Sequence, residues 1–319
     1  MRVVVLVGGQ SNEREVSLKS GQAVYDALVR KGFKAEVFDP GAGTPNTSDR
    51  LPPGPLWMIR SSTVLNSDVV FVALHGGSGE NGQVQCLLDL AGKRYTGSGM
   101  LASAIAMNKA LTKRLMTMVD VITPKHALYR VADKGDLQRI GAEVLDCFDV
   151  PLIVKPNDGG STIGLTKVSE SGQIAQALEK CFRESREILV ETFIAGRELT
   201  VAVLDGEPLP VVEIRPKEGL YDYVAKYTKG KSEYLVPAPI TDEQSASMQQ
   251  DAAKLYGLLG CKGVVRVDFI MDQSGTGYCL EVNTSPGMTE LSLVPMAARE
   301  SGMSFDDLVE RLVQLATKQ

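Results

Sequence analysis

The sequence predicts an α/β protein of about two or three domains that opens with a doubly wound parallel sheet. Three observations carry this. The chain has 319 residues, enough for more than one hydrophobic core. An unbroken apolar run at 3–7 leads through a glycine loop into a helically spaced segment at about 17–31 and a second strand-like run at 34–38, the pattern of a βαβ unit. Far downstream, residues 264–271 and 278–282 read as two strands reversing through Asp272-Gln273-Ser274-Gly275-Thr276-Gly277.

Composition narrows the partners. The chain is 44% hydrophobic and 23% charged with net charge −5, and no long basic run suggests nucleic acid. The five cysteines (Cys86, Cys147, Cys181, Cys261, Cys279) are scattered and form no C-x-x-C pair, which points to reduced thiols without structural zinc. The apolar run at 3–7 is too short for a signal peptide, and no stretch approaches the ~18 apolar residues of a membrane span. A cytoplasmic protein is expected.

Taken in order, Gly8-Gly9-Gln10-Ser11 forms the first loop, and Glu13, Arg14 and Glu15 fall at the start of the first helix. Acidic residues there favour the helix dipole, yet they also lie at the end of the sheet where open α/β folds bind ligands. Residues 41–55 read as a surface loop and 69–74 as a buried strand. The segment from His75 to Gly82 holds a formal G-x-G-x-x-G (Gly77, Gly79, Gly82). A nicotinamide site fits it poorly, because Glu80 would repel a pyrophosphate and no acid lies about 20 residues on to hold a ribose. Residues 95–99 look like a hinge, helical patterning covers 101–119, and 142–146 is weakly patterned.

Residues 152–156 form a strand with one lysine, Lys155, among apolar residues, and an inward lysine needs an anion. The glycine and hydroxyl loop at 157–165 suits phosphate, though it lacks the Lys-Ser/Thr of a Walker A motif. Residues 174–182 read as a core helix, and 188–191 and 196–201 as strands. The aromatic loop Tyr221-Asp222-Tyr223-Val224-Ala225-Lys226-Tyr227 reads as a mobile lid, with a partner-binding patch as the other possibility. Thr241 and Gln244 form a capping box, and Ser304 caps the last helix.

In the downstream hairpin, Glu281 and Asn283 are i and i+2 and share a face, and the reversal can bring Asp268 to meet them. Three oxygen donors on one face suit a hard cation such as Mg²⁺, and Arg266, i−2 from Asp268, would aim at an anion beside it. The alternative is a solvated face with scattered charge.

The segments R-V-D-F (266–269) and L-E-V-N-T-S-P-G-M-T (280–289) resemble those of ATP-grasp ligases, and the second resembles the D-alanine–D-alanine ligase family in particular. The resemblance extends over nearly the whole chain, from Gly8 to the last helix. It takes in G-G-x-S-x-E-R-E-V-S, H-G-x-x-G-E-N-G, M-N-K-x-x-x-K, V-K-P-x-x-x-G-S-T-x-G and Y-D-Y-x-x-K-Y. It implies a three-domain ATP-grasp architecture: an N-terminal doubly wound domain at 1–97, and two α+β domains at 98–194 and 195–319 that enclose ATP.

The resemblance implies ATP-dependent joining of two D-alanines through a D-alanyl phosphate, for peptidoglycan precursors. It implies ATP and Mg²⁺, two ions, with Mn²⁺ as an alternative, and a homodimer. It assigns Glu15, Ser161, Arg266, Tyr227 and Gly287 to catalysis, and His75, Tyr223, Ser292 and Leu293 to the amino acids. Lys109, Lys155, Glu191, Phe193, Ile194, Glu198, Lys226 and Asn283 fall to the nucleotide, and Asp268, Glu281 and Asn283 to the metal. Glu191 would take the adenine amine, Glu198 the ribose, and Ser161 would link Glu15 to Tyr227. One departure is Thr192-Phe193, where many relatives carry Lys-Trp or Lys-Phe. A ligase of another carboxylate–amine pair, for example D-alanine with D-serine, is the alternative. A non-catalytic nucleotide module would be expected to lose a metal ligand or Arg266, and neither is lost.

Overall fold

Alternation along β1 (Arg2–Leu6) sets the first layer: Val3 and Val5 enter one core and Val4 and Leu6 another, so the strand is buried on both faces. The computed structural model describes residues 1–42, 54–160, 162–217 and 231–318. After β1 come α1 (Arg14–Arg30), β2 (Lys34–Phe38), α2 (Pro55–Met58), α3 (Ser62–Leu65), β3 (Val69–Val72), α4 (Gln83–Leu90) and β4 (Arg94–Tyr95). The four strands form a parallel sheet in the order β2-β1-β3-β4. Its strand order reverses between β1 and β3, the place where open α/β sheets receive ligands beyond the carboxyl ends of the strands. The loops at 8–13 and 73–82 leave from that point.

The chain then runs through α5 (Met100–Met107), α6 (Lys109–Met116), β5 (His126–Arg130), α7 (Asp136–Cys147), β6 (Leu152–Pro156), β7 (Thr166–Val168), α8 (Ile174–Glu184) and β8 (Glu187–Thr192). The second sheet is antiparallel, in the order β5-β8-β6-β7. Leu152, Val154, Ile188 and Val190 pack under α7 and α8 on one face, which leaves Ile153, Lys155, Leu189 and Glu191 on the other.

The third sheet contains β9 (Gly196–Leu204), β10 (Glu207–Pro208), β11 (Val212–Pro216), β12 (Ser232–Leu235), β13 (Val264–Asp272) and β14 (Gly277–Asn283), in the order β12-β11-β9-β13-β14 with β10 beside β9. Its helices are α9 (Asp242–Leu258), α10 (Leu293–Glu300) and α11 (Phe305–Thr317). Val265, Val267, Phe269 and Met271 bury one side of β13 against α9 and α5. α11 packs on the first sheet, where Leu308, Val309, Leu312 and Val313 join Val3, Val5, Val24, Ala27 and Leu28 in one core.

The expected elements mostly recur, with three differences. Helical patterning at 101–119 is two helices, because Asn108 leaves the helical conformation at φ −83, ψ 92 and its side chain accepts the Leu111 N–H at 3.0 Å. A fresh helix N-terminus is thereby set at Lys109. The weakly patterned stretch at 142–146 lies in α7, which buries Leu137, Ile140, Gly141 and Val144; a glycine on the inner face masked the stripe. The hinge-like segment at 95–99 includes the end of a fourth parallel strand, and Ser98 Oγ accepts the Lys262 N–H at 3.2 Å. The capping box at Thr241 and the cap at Ser304 both form.

Leu308 is fully buried between α11 and the first sheet. Leu308→Ala should cost about 2–5 kcal/mol of stability, read as a lower urea midpoint with an unchanged slope. An unmoved midpoint would show that the last helix is not part of the N-terminal core.

Candidate active site

The β13–β14 register puts Asp268 opposite Glu281 and Arg266 opposite Asn283, so all four side chains share one sheet face. A register shift after Asp268 bends the strand there. Thr200, opposite Asp268 on β9, donates its hydroxyl to Asp268 Oδ1 at 2.7 Å. Arg266 grips the same carboxylate with two bonds, Nε to Oδ1 and Nη2 to Oδ2, both 2.8 Å. Asn283 Oδ1 accepts the Ser285 N–H at 2.9 Å, which turns the chain into the loop holding Gly287. A side chain on Gly287 would meet Ser292 Oγ at 3.0 Å. The donor set fits a hard cation: two carboxylates and one amide oxygen, with no soft ligand. Among the described residues no group of three or more His, Cys, Asp or Glu is placed to hold a metal ion.

The glycine loop is fastened to α6. Asn157, fully buried, accepts the Ala110 N–H at 2.8 Å and donates to Asn108 and Glu187 at 3.1 and 2.8 Å. Lys109 Nζ donates to the Gly159 carbonyl at 2.6 Å and lies 3.4 Å from Glu281. That brings a cation, the loop and a metal-face carboxylate to one point.

Behind this point three buried charges stand in a row. Glu191 Oε2 is 2.8 Å from Lys155 Nζ, and Oε1 is 3.0 Å from Lys113 Nζ. Burial alone would push the Glu191 carboxyl up. The two ammonium groups outweigh it and hold the group at about 2. Burial also acts on Lys155, but Glu191 and Glu281 outweigh it and raise that lysine.

Two cavities meet at Lys109. One lies between the second and third sheets, lined by Lys155, Glu191, Phe193, Ile194, Glu198 and Asp268 among others. Lys167 Nζ sits 3.7 Å above the Phe193 ring, a cation from β7 at the segment where Thr192 stands. The larger cavity, about 580 Å³, is bordered by the parallel sheet's loops and the start of α10, with Arg266, His75, Ser292 and Leu293 on its wall. The two cavities share Lys109, Gly159, Gly160 and Glu281.

His75 is buried, with both ring nitrogens engaged. Nδ1 must donate to the Ser285 carbonyl at 3.0 Å, and in the neutral ring Nε2 then accepts from Ser20 Oγ at 3.1 Å. Ser20 Oγ in turn accepts the Met288 N–H at 3.4 Å. His75 therefore ties the Gly287 loop to α1.

Of the two acids at the start of α1, Glu13 is buried and Glu15 exposed, though both border the large cavity. Glu13 Oε2 lies where a side chain on Gly76 would meet it at 2.6 Å and one on Gly160 at 3.2 Å. It is thus Glu13 that reaches the glycine loop, in the position expected of Glu15. Ser161, Tyr223, Lys226 and Tyr227 lie outside the described residues. Sequence reasoning gave no role to Lys113 or Thr200, and it weighed Glu13 as a helix-dipole acid or a ligand contact but took Glu15 for the substrate role. Lys113, four residues after Lys109 on one helix, carried the one usable signal, a second lysine at helical spacing.

A family model described as D-ala D-ala ligase C-terminus matches residues 115–314, and one described as D-ala D-ala ligase N-terminus matches 56–98. A D-alanine–D-alanine ligase of Syntrophotalea carbinolica is 45% identical, covering 98% of this chain and 95% of that one. One of Nitrosospira multiformis is 45% identical over 99% and 96%. The crystal structure of D-alanine–D-alanine ligase from Bacillus anthracis complexed with ATP superposes with a TM-score of 0.83 at 28% identity, covering 100% of this chain and 98% of that one.

Because Glu191 sits near 2 in the fold against an ordinary 4.5, its stabilisation is complete above pH 4.5 and is lost as pH falls toward 2. Glu191→Gln leaves two buried ammonium groups uncompensated and should cost about 3–5 kcal/mol. It should also flatten the pH dependence of urea unfolding in that acid window. Equal stability and an unchanged acid limb would show that the charge row is not coupled.

Proposed function

The chain belongs to the D-alanine–D-alanine ligase family and joins two D-alanines at the expense of ATP, and we propose that it does so through a D-alanyl phosphate formed where the two cavities meet. One observation carries the reading. Lys109, Gly159, Gly160 and Glu281 line both cavities, so a phosphoryl group from the nucleotide side can reach a carboxylate on the amino-acid side.

A carboxylate is a poor acyl donor, because its leaving group would be oxide. Attack of the first D-alanine's carboxylate oxygen on the γ-phosphorus of ATP releases ADP and gives the acyl phosphate. Negative charge spreads over the transferring group, and Lys109, Lys155 and Lys226 oppose it. Asp268, Glu281 and Asn283 would hold Mg²⁺, two ions, with Mn²⁺ able to replace it; the metal would add positive charge at the phosphoryl oxygens. Glu191 accepts the adenine amine, Glu198 the ribose, and Phe193 and Ile194 border the base.

The amine of the second D-alanine then attacks the activated carbonyl. A tetrahedral oxyanion forms, phosphate leaves, and the amine gives up a proton. Arg266, released from Asp268, and the Gly287 N–H stabilise the oxyanion. Ser292 and Leu293, at the start of α10, hold the second carboxylate, where helix N–H groups favour an anion. Glu13, rather than Glu15, receives the first D-alanine's ammonium, because it is the buried carboxylate that borders Gly160. His75 positions the Gly287 loop. Ser161, Tyr223 and Tyr227 complete a lid that excludes water, which would hydrolyse the acyl phosphate. The dipeptide serves peptidoglycan precursors, and the enzyme works in the cytoplasm as a homodimer, a state light scattering can test. The described residues contain no helix long and apolar enough to cross a membrane.

Phosphate release with ATP, Mg²⁺ and D-alanine, run beside L-alanine, D-serine and D-lactate, tests the reaction. Release with D-alanine alone, and a dipeptide of matching mass, is expected. Release with another pair only would transfer the family's chemistry to that pair. Asp268→Asn and Glu281→Gln should abolish turnover without lowering Tm, and Arg266→Met should lower kcat by roughly 10²–10³. Turnover at the normal rate in either carboxylate variant would remove the metal assignment. Glu13→Gln should raise KM for D-alanine far more than Glu15→Gln, and the reverse order would return the role to Glu15.

A further inference from the structure

One buried charge beside the nucleotide cavity has no part in the reaction as derived. Lys113, on α6, has a side chain with no exposed surface. Its Nζ is 3.0 Å from Glu191 Oε1, 2.7 Å from Thr123 Oγ1 and 3.4 Å from the Cys279 carbonyl. Thr123 spends its own proton on that carbonyl at 2.8 Å, so its oxygen faces Lys113 as an acceptor. The Thr123 oxygen and the Cys279 carbonyl accept hydrogen bonds from it, while Glu191 Oε1 faces it as an ion pair only, and that carboxylate opposes the burial that lowers this lysine.

Lys113 and Lys155 hold opposite oxygens of one carboxylate, but they are not equivalent. Lys155 lines the nucleotide cavity together with Glu191; Lys113 lies behind it, enclosed by α6, Thr123 and β14. A phosphate in the cavity can draw Lys155 away from Glu191. It cannot draw Lys113, which has no path out. Without Lys113, a Glu191 left by Lys155 would be a lone buried carboxylate, and such a group takes up a proton instead of remaining charged.

The protonation state decides which purine fits. A carboxylate only accepts, so it bonds the exocyclic amine of adenine and repels the carbonyl that hypoxanthine carries at the same carbon. A protonated carboxyl has an O–H and can donate to that carbonyl. We propose that Lys113 is the residue that sets purine specificity, by keeping Glu191 an obligate acceptor while Lys155 turns to phosphate. This rests on the reading of Glu191 as the adenine acceptor. Lys113 touches neither base nor phosphate and is a positioning residue.

Several other groups surround this row of charges. His126 on β5 is in register with it, with Nδ1 bonded to the Pro124 carbonyl, and burial holds its imidazole below the ordinary value. Arg114 follows Lys113 on α6 and acts on His126, while from β14 Cys279 acts on Lys113 and Lys155, and Glu281 on Lys155. All remain in a Lys113 variant, so their titration is common to it and the wild type.

The test compares kcat/KM for ATP with kcat/KM for inosine triphosphate across the neutral pH range. In the wild type the ATP preference should be flat with pH. In Lys113→Met it should fall about tenfold or more and decline further as pH is lowered, about tenfold being the effect of one unit of pKa. The double variant Lys113→Met with Glu191→Gln keeps the row's net charge, because one positive and one negative charge leave together. It should lose preference at every pH, since an amide both donates and accepts. A Lys113→Met enzyme whose KM rises equally for both nucleotides, with preference and pH profile unchanged, would overturn the proposal and leave Lys113 a structural ion. If Lys113→Met does not fold, the wild type decides: a preference that titrates in the neutral range would show that Lys113 does not hold Glu191 charged. Unchanged preference in the double variant would instead remove Glu191 from base reading, and the premise would fall with it.

Discussion

The site depends on the register of β13 between its two neighbours. Pairing with β9 and β14 fixes which residues of β13 face the core and which face the cavities, and a slip of one residue would exchange the two sets. Val265, Val267, Phe269 and Met271 are 0–4% exposed, so such a slip would bury Arg266 and Asp268 in an apolar core. The hydrophobic face thus holds the polar face in place. Asp268, Glu281 and Asn283 converge because the core beneath them tolerates no other alignment.

Charge is arranged around that face so that it can be released. Arg266 is bound to Asp268 by two bonds, and Lys109 to Glu281 and the Gly159 carbonyl. Among the described residues, each cation that would serve the phosphoryl group or the oxyanion already neutralises an acid. Buried or half-buried charges left single would be costly, so the protein pairs them internally, and substrate charge exchanges for protein charge. The Lys113–Glu191–Lys155 row follows the same rule with one member permanently enclosed.

Much of this was legible in the chain. Period-two alternation was enough to place the four polar residues of the hairpin on one face, because strand geometry leaves two choices and the apolar residues take the other. Capping chemistry marked the helices at Thr241 and Ser304 for a similar local reason. What escaped was set by distant segments. Glu13 and Glu15 are alike as residues, and only the approach of Gly76 and Gly160 from two other loops decides which is buried. The bond from Arg266 to Asp268 joins residues both recognised as functional, yet it was read as two independent groups. Lys113 looked like any helix lysine because Glu191, Thr123 and Cys279 come from three later parts of the chain.

The packing of α11 against the first sheet has a consequence during synthesis. Val3, Val5 and Leu28 share a core with Leu308, Leu312 and Val313, which lie about 280 residues further along the chain. Until α11 is made, the part of this core that it covers stays exposed, apart from what α1 already shields. At about 5–20 residues per second that exposure lasts tens of seconds. The N-terminal layer therefore completes its folding only after the polypeptide through α11 has been made.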